Sequence, residues 1–89
     1  MNELNILREQ IDNIDAQIVK LLCERFDAVK NVAEYKKTYA LEIMQKSREA
    51  EVLNKIAEKI NNEEYTQYIL EIYAAVLETS KDLQKNYIK

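Results

Sequence analysis

The 89-residue sequence contains no glycine, no proline and no histidine, and its single cysteine is Cys23. Without glycine or proline, few positions favour a tight turn or interrupt a helix. With one cysteine an intrachain disulfide is impossible, and without histidine a zinc site or a histidine-based triad is essentially excluded. The N-terminus is not a basic region followed by an apolar run, as in a signal peptide. Together with the lone cysteine, this predicts that the protein is located in the reducing cytoplasm.

An excess of positive charge is also lacking. The chain has 13 basic and 16 acidic residues and a net charge of −3, so it has no basic field for nucleic acid or for an acidic membrane surface. No stretch is long and apolar enough to span a bilayer. We therefore expect neither a nucleic-acid nor a membrane partner, and any anionic ligand must be bound by a local group of cations.

The residues that are present favour helices, because leucine, isoleucine, alanine, glutamate, lysine and glutamine dominate. They predict an all-α fold in a single domain, residues 1–89. Asn2 and Ser47 are the expected N-caps of the first two helices, and Asn61 with Glu64 has the spacing of a capping box before the third. The predicted helices are one long, one short and one of medium length, over about residues 3–39, 47–60 and 63–87.

The first predicted helix carries an apolar stripe at steps of three and four residues. This stripe consists of Leu4, Leu7, Ile11, Ile14, Ile18 and Leu21. The helix would be about 55 Å long, whereas a compact domain of this size has a radius of gyration near 12 Å. Two shorter helices cannot cover such a stripe, which predicts a twofold homodimer in which the long helices pack against each other.

Two cations stand out on the same helix. Arg25 continues the apolar stripe, and Lys36 follows eleven residues later, about 16 Å along the axis and within roughly 20° around it. Neither has a carboxylate three or four residues away. An unpartnered cation on an apolar face lowers stability, so we expect an anion from elsewhere to pair with it. That anion can be a small-molecule ligand that both cations bind.

A wider pattern of polar residues resembles the all-helical chorismate mutases. It comprises Arg8 in Leu-Arg-Glu-Gln-Ile-Asp-Asn-Ile-Asp, Arg25 in Leu-Leu-Cys-Glu-Arg, Lys36, Arg48 with Glu49 at the start of the second helix, and Ser80 with Gln84 in the third. The resemblance implies an intertwined three-helix homodimer. It also implies an isomerase that needs no cofactor and converts chorismate to prephenate, the branch step toward phenylalanine and tyrosine.

The resemblance assigns the main roles in such a site. The counterparts of Arg25 and Arg8 bind the two substrate carboxylates, with Arg8 coming from the other subunit. Lys36 and Gln84 match the pair that hydrogen-bonds the ether oxygen of the breaking bond. A pericyclic rearrangement requires no nucleophile, proton shuttle or metal, so these residue types suit the chemistry.

Four further positions complete the expected substrate contacts. Glu49 matches the residue that accepts the ring hydroxyl, Arg48 a further active-site arginine, and Ser80 a polar contact to a carboxylate. Gln45 departs from the pattern, because the family often has an acidic residue at this position. Either its amide accepts a hydrogen bond from the ring hydroxyl, or the backbone makes this contact instead.

Helical geometry separates Arg8 from this group. Arg8 precedes Arg25 by seventeen residues, which is about 26 Å along the helix and roughly 100° around it. The two cannot share a small-molecule site within one chain. In an antiparallel dimer Arg8 can enter the partner's pocket, so the sequence predicts composite sites.

Other interpretations stay open at this point. Taken singly, Arg25 and Lys36 could be cations with solvated heads, and Arg8 could simply pair with Asp12. A second enzyme hypothesis is an isochorismate pyruvate lyase, a related helical enzyme that makes salicylate, against which the presence of Glu49 argues. A third is a helical dimerisation or regulatory module without catalysis, which explains the apolar stripe but not the partnerless cations.

Overall fold

The computed structural model describes residues 2–88, which form three α-helices and no strand. These helices are α1 (Glu3–Thr38), α2 (Lys46–Lys59) and α3 (Thr66–Tyr87), and a 3₁₀ turn, Glu63–Tyr65, precedes α3. The predicted all-α chain with one long, one short and one medium helix is confirmed.

Helix α1 begins and ends with recognisable caps. The Asn2 side chain accepts a hydrogen bond from the Asn5 amide at 2.8 Å, as the sequence predicted. At the other end the amides of Leu41 and Ala40 bond the carbonyls of Lys36 and Lys37 at 2.8 and 3.3 Å, which is a Schellman motif. Ala40 occupies the left-handed position with φ of 54° that glycine usually takes.

The starts of the other two helices differ from the prediction. Ser47 does not cap α2, because the helix begins one residue earlier and the carbonyl of Gln45 receives the Glu49 amide at 3.1 Å. Asn61 and Glu64 do not form the expected capping box. Instead the side chain of Asn62 accepts from the Glu64 amide at 3.0 Å and starts the 3₁₀ turn.

Helix α3 lies between the other two helices and packs against both. On α2 and its C-cap residue, the side chains of Val52, Leu53, Ile56 and Ile60 are half-buried. Among residues 2–88 only Ala33, Ser80 and Gln84 are buried. The tightest packing in the chain therefore lies where the second half of α1 meets the end of α3, and it includes two polar side chains.

A single chain is elongated. Its extents are 56 × 26 × 15 Å and its radius of gyration is 16.4 Å, against about 12 Å for a compact chain of this length. The predicted stripe on the first half of α1 is exposed along its whole length. None of the described helices is both long enough and apolar enough to cross a membrane.

Candidate active site

The first link between α1 and α3 is made by Arg25 and Ser80. A guanidinium nitrogen of Arg25 donates to the Ser80 hydroxyl at 2.6 Å, and this hydroxyl donates in turn to the Val76 carbonyl at 2.7 Å. Because the hydroxyl hydrogen is used by the backbone, its lone pairs face the arginine. Ser80 is 5% exposed and fixes the arginine while leaving most of its five N–H donors available.

The second link joins Lys36 to Gln84 and to the loop after α1. The Lys36 ammonium donates to the Gln84 side-chain oxygen at 2.9 Å and to the Ile43 carbonyl at 2.7 Å. Since lysine has only donors, the Gln84 atom that faces it must be the oxygen. The amide nitrogen of Gln84 donates to the Ser80 carbonyl at 3.4 Å, which uses one of its two N–H groups. Within residues 2–88 one of the three ammonium donors has no recorded protein partner, so it remains for a ligand.

Neither of these two cations is neutralised within residues 2–88. The recorded ion pairs involve Arg48, Lys55 and Lys81, whereas Arg25 and Lys36 bond only neutral oxygens. Burial lowers the pKa of Lys36 below its usual value of 10.5, because desolvation disfavours the charged form. An anionic ligand would restore the lost stabilisation of this charge.

The two links border one partly open cavity of about 170 Å³, which is lined by all three helices and the loop after α1. Engineered protein cavities of about 150 Å³ already accommodate a benzene molecule, so the space suits a small ring compound. Its polar lining is Arg25, Lys36, Gln45, Arg48, Glu49, Ser80, Lys81 and Gln84, and its apolar lining is Val29, Val32, Ile43, Val52 and Leu77. Four cations against one carboxylate favour an organic anion.

The side of the cavity formed by α2 is built more loosely. Glu49 forms an ion pair with Lys81 at 3.3 Å. Arg48 bonds Glu51 at 2.6 Å, and its side chain is 59% exposed. Gln45 is exposed and donates to the Glu42 carbonyl at 3.2 Å. Arg48 and Gln45 are less constrained than Ser80 or Gln84, so a ligand can reorient them at smaller cost.

Seven of the eight site residues expected from the sequence line this cavity, namely Arg25, Lys36, Gln45, Arg48, Glu49, Ser80 and Gln84. The eighth, Arg8, is exposed on the first half of α1. Because α1 is one continuous helix from Glu3 to Thr38, Arg8 lies about 26 Å from Arg25 along its axis. The structure of one chain does not bring it to the cavity.

Sequence reasoning missed two polar contributors. The Ile43 carbonyl sits in an irregular loop, and no sequence pattern signals it. Lys81 is different, because Leu77, Ser80, Lys81 and Gln84 share one face of α3 at steps of three and four residues. Following that face along the helix would have identified Lys81.

Fold and cavity together define an all-α protein with a cation-rich cavity between its three helices. A family profile described as chorismate mutase type II matches residues 7–85. A chorismate mutase from Methanocaldococcus jannaschii is 31% identical over 90 residues, covering 100% of this chain and 91% of that protein. The chain therefore belongs to the chorismate mutase type II family, which confirms the resemblance predicted from the sequence.

Two further relatives extend the comparison. A bifunctional chorismate mutase/prephenate dehydratase from Aquifex aeolicus is 34% identical over 96% of this chain, but the chain spans only 25% of that protein. A solved structure of a conserved hypothetical protein from Pyrococcus furiosus superposes with a TM-score of 0.76 at 36% identity, covering 94% of this chain and 97% of that one. The three-helix fold thus matches an independent chain over nearly its whole length.

Proposed function

We propose that this chain catalyses the rearrangement of chorismate to prephenate, as an isomerase on the route to phenylalanine and tyrosine. The family assignment supports the reaction. The observation that carries the proposal is the cavity in which Arg25 and Lys36 face a ligand space without a carboxylate partner among residues 2–88. A doubly negative substrate supplies the missing anions.

The contacts within the site support different roles for its residues. Arg25 is held by Ser80 and has donors left for a substrate carboxylate. Lys36 and the second N–H of the Gln84 amide, whose first N–H donates to the Ser80 carbonyl, are the donors available to the ether oxygen, where negative charge grows as the bond breaks. Donors that are already oriented stabilise this charge without reorganisation, and stabilisation that is larger in the transition state than in the substrate lowers the barrier.

The α2 side would bind the rest of the substrate. Glu49 accepts a hydrogen bond from the ring hydroxyl, and the amide oxygen of Gln45 is a second acceptor for the same hydroxyl. Arg48 exchanges its contact with Glu51 for a contact with the substrate. Their positions around the cavity are compatible with these roles. Binding at several points holds the flexible substrate in its folded, reactive conformer, which removes much of the entropic part of the barrier.

We further propose that the working form is an intertwined homodimer. The exposed apolar stripe on α1 and the elongated shape of the single chain support it, because a monomer would leave this large surface in water. Isoleucines and leucines at steps of three and four form a seam that a second, antiparallel α1 can cover. The interface would follow the first half of α1 and the exposed face of α3 that includes Ile72.

In this dimer each site would be composite. Arg8 is too far from the cavity of its own chain to serve it, but antiparallel pairing carries it toward the second half of the partner's α1. It would then bind the second substrate carboxylate. We also propose that residues 1–89 form a single domain and that the protein is located in the cytoplasm.

The activity is tested by following the decay of chorismate's ultraviolet absorbance with purified protein. We expect enzyme-dependent loss of chorismate with prephenate as the product, identified by proton NMR. Isochorismate is supplied in a separate reaction. Salicylate fluorescence from isochorismate would show that the protein is a lyase and not a mutase. If neither compound is converted, the protein is a non-catalytic module.

The composite site is tested by mixing inactive Arg8→Ala and Arg25→Ala chains. Each heterodimer contains one intact pocket, so an equal mixture with random exchange should regain about a quarter of wild-type activity. The control is Arg25→Ala mixed with an Arg8→Ala/Arg25→Ala double variant, which cannot form an intact pocket. If the first mixture stays inactive although mass spectrometry detects heterodimers, each site belongs to one chain.

A further inference from the structure

Lys81 is a fourth cation in the cavity, and the proposed mechanism gives it no role. Its side chain is only 16% exposed, and its ammonium lies 3.3 Å from the Glu49 carboxylate and 3.0 Å from that of Glu78. The first contact crosses from α3 to α2, and the second is made to the preceding turn of α3. Lys81 therefore lies between a carboxylate at the cavity and a carboxylate at the surface.

A carboxylate in this cavity poses an electrostatic problem. Glu49 is the only acidic residue in the described lining, and a dianionic substrate must bind beside it. At the effective dielectric constant of a partly buried site, two like charges several ångströms apart repel strongly enough to weaken binding by more than tenfold. A cation in contact with Glu49 offsets this repulsion.

The geometry also limits where Glu49 can point. Its side chain starts in the first turn of α2, and the ion pair with Lys81 ties its carboxylate to α3 on the same face as Ser80 and Gln84. Arg48, the neighbouring residue, has no such tie and bonds Glu51 outside the cavity. The difference between these adjacent residues indicates that Lys81 orients Glu49.

We propose that Lys81 is a positioning residue, which holds the Glu49 carboxylate toward the ring hydroxyl of the substrate and offsets its negative charge while the dianion binds. This inference rests on the proposed function. Lys81 acts through Glu49 and touches no reacting atom. Its hydrogen bond to Glu78 raises the pKa of Lys81, which keeps the ammonium charged at neutral pH.

The test is a double-mutant cycle on catalysis with Lys81→Met and Glu49→Gln. We expect Lys81→Met alone to raise KM about tenfold and to lower kcat less, because it exposes the substrate to an uncompensated carboxylate. In the Glu49→Gln background the same substitution should change KM less than twofold. Lys81→Arg should retain most of the activity, since it preserves the ion pair.

Matched variants separate this role from a structural one. Lys85→Met removes the same charge one turn later on α3 at an exposed position and should leave KM unchanged. Circular dichroism checks folding, and Lys81→Gln replaces Lys81→Met if the latter does not fold. Equal losses from Lys81→Met in both backgrounds, or no effect on KM, would overturn the inference while leaving the mutase function intact. A wild-type protein that does not convert chorismate would overturn both.

Discussion

The two halves of α1 have similar apolar spacing but opposite surroundings. Every residue from 3 to 21 is exposed in the single chain, although the isoleucines and leucines there follow a regular stripe. From Leu22 onward several side chains are half-buried, and Ala33 is fully buried against the rest of the fold. The cause is α3, which contacts the half of α1 that carries Arg25 and Lys36.

This comparison shows what a stripe of apolar residues can and cannot reveal. The spacing indicates that one face of a helix will be buried, but it does not identify the surface that buries it. For the second half of α1 the covering surface is α3 of the same chain. For the first half we propose a second copy, so that one helix serves assembly at one end and catalysis at the other.

The largest effect is expected from a charged residue placed on the exposed first half of α1. Ile14 is 54% exposed in one chain, and Ile14→Lys would place a lysine in both copies of the proposed seam. Loss of two buried isoleucines should destabilise the dimer by about 3–6 kcal/mol, with loss of activity. Sedimentation equilibrium measures the change. Ala16→Lys adds the same charge on the opposite side of α1, and a dimer that tolerates both equally would refute our explanation of the stripe.

The next largest effect is expected in the second half of α1, which packs against α3. Arg25→Ala should lower kcat/KM by about 10²–10³-fold, since it removes charge-assisted donors to a substrate carboxylate. Stability should stay equal or rise, because a cation without an anionic partner leaves the apolar seam. Lys20→Ala provides the control on the exposed part of the same helix and should change neither quantity appreciably. Steady-state kinetics measures the change in activity, and thermal unfolding measures the change in stability. If the loss of stability is large enough to explain the loss of activity, the role of Arg25 is structural.

A smaller effect concerns the pH dependence of Lys36. Its lowered pKa means that folding is penalised while the ammonium is charged, and the penalty disappears as pH rises through the folded-state pKa toward 10.5. Activity should change in the opposite sense, because in the proposed mechanism kcat/KM falls as the Lys36 ammonium deprotonates. NMR titration of lysine side chains should find Lys36 titrating below 10.5, assigned by its missing signal in Lys36→Arg. Titration at or above 10.5 would contradict the effect of burial.

The smallest effect is expected at the end of α1. Ala40→Gly should raise the free energy of unfolding by about 0.5–1 kcal/mol, because glycine adopts a φ of 54° without the steric penalty of a Cβ atom. Ala16→Gly, in the middle of the helix, should lower it by a similar amount. Chemical denaturation measures both changes. The same sign for both substitutions would show that the left-handed turn stores no strain.

Most of the architecture was predictable because the local signals were long or repeated. The periodicity of α1 extends over many turns, and its end was placed to within one residue. The start of α2 was misplaced by one residue, because Gln45 takes the N-cap position although its side chain makes no capping bond. A capping serine contributes only about 1 kcal/mol, so it is a weak signal for a boundary. Two adjacent asparagines precede α3, and the pattern selected Asn61 although Asn62 makes the bond.

The candidate site was predictable as a set of residues more than as a geometry. Arg25 and Lys36 could be chosen because they lie on an apolar face of one helix without a carboxylate nearby, and Ser80 and Gln84 because they match the family pattern. Their pairing could not be chosen, since hydrogen bonds between residues 48 to 55 positions apart depend on how α1 and α3 cross. The loop carbonyl of Ile43 joins the site only through tertiary structure.

The sequence by itself determined that the chain is helical and that its first helix carries a long apolar stripe, because composition and periodicity are local properties. The family was first indicated by a resemblance in motifs, which the comparisons confirmed. Only the tertiary structure decided which cations remain without a carboxylate and which, like Lys81, are neutralised. That outcome depends on distances of about 3 Å between different helices, and the electrostatics of a partly buried cavity change sharply over such distances.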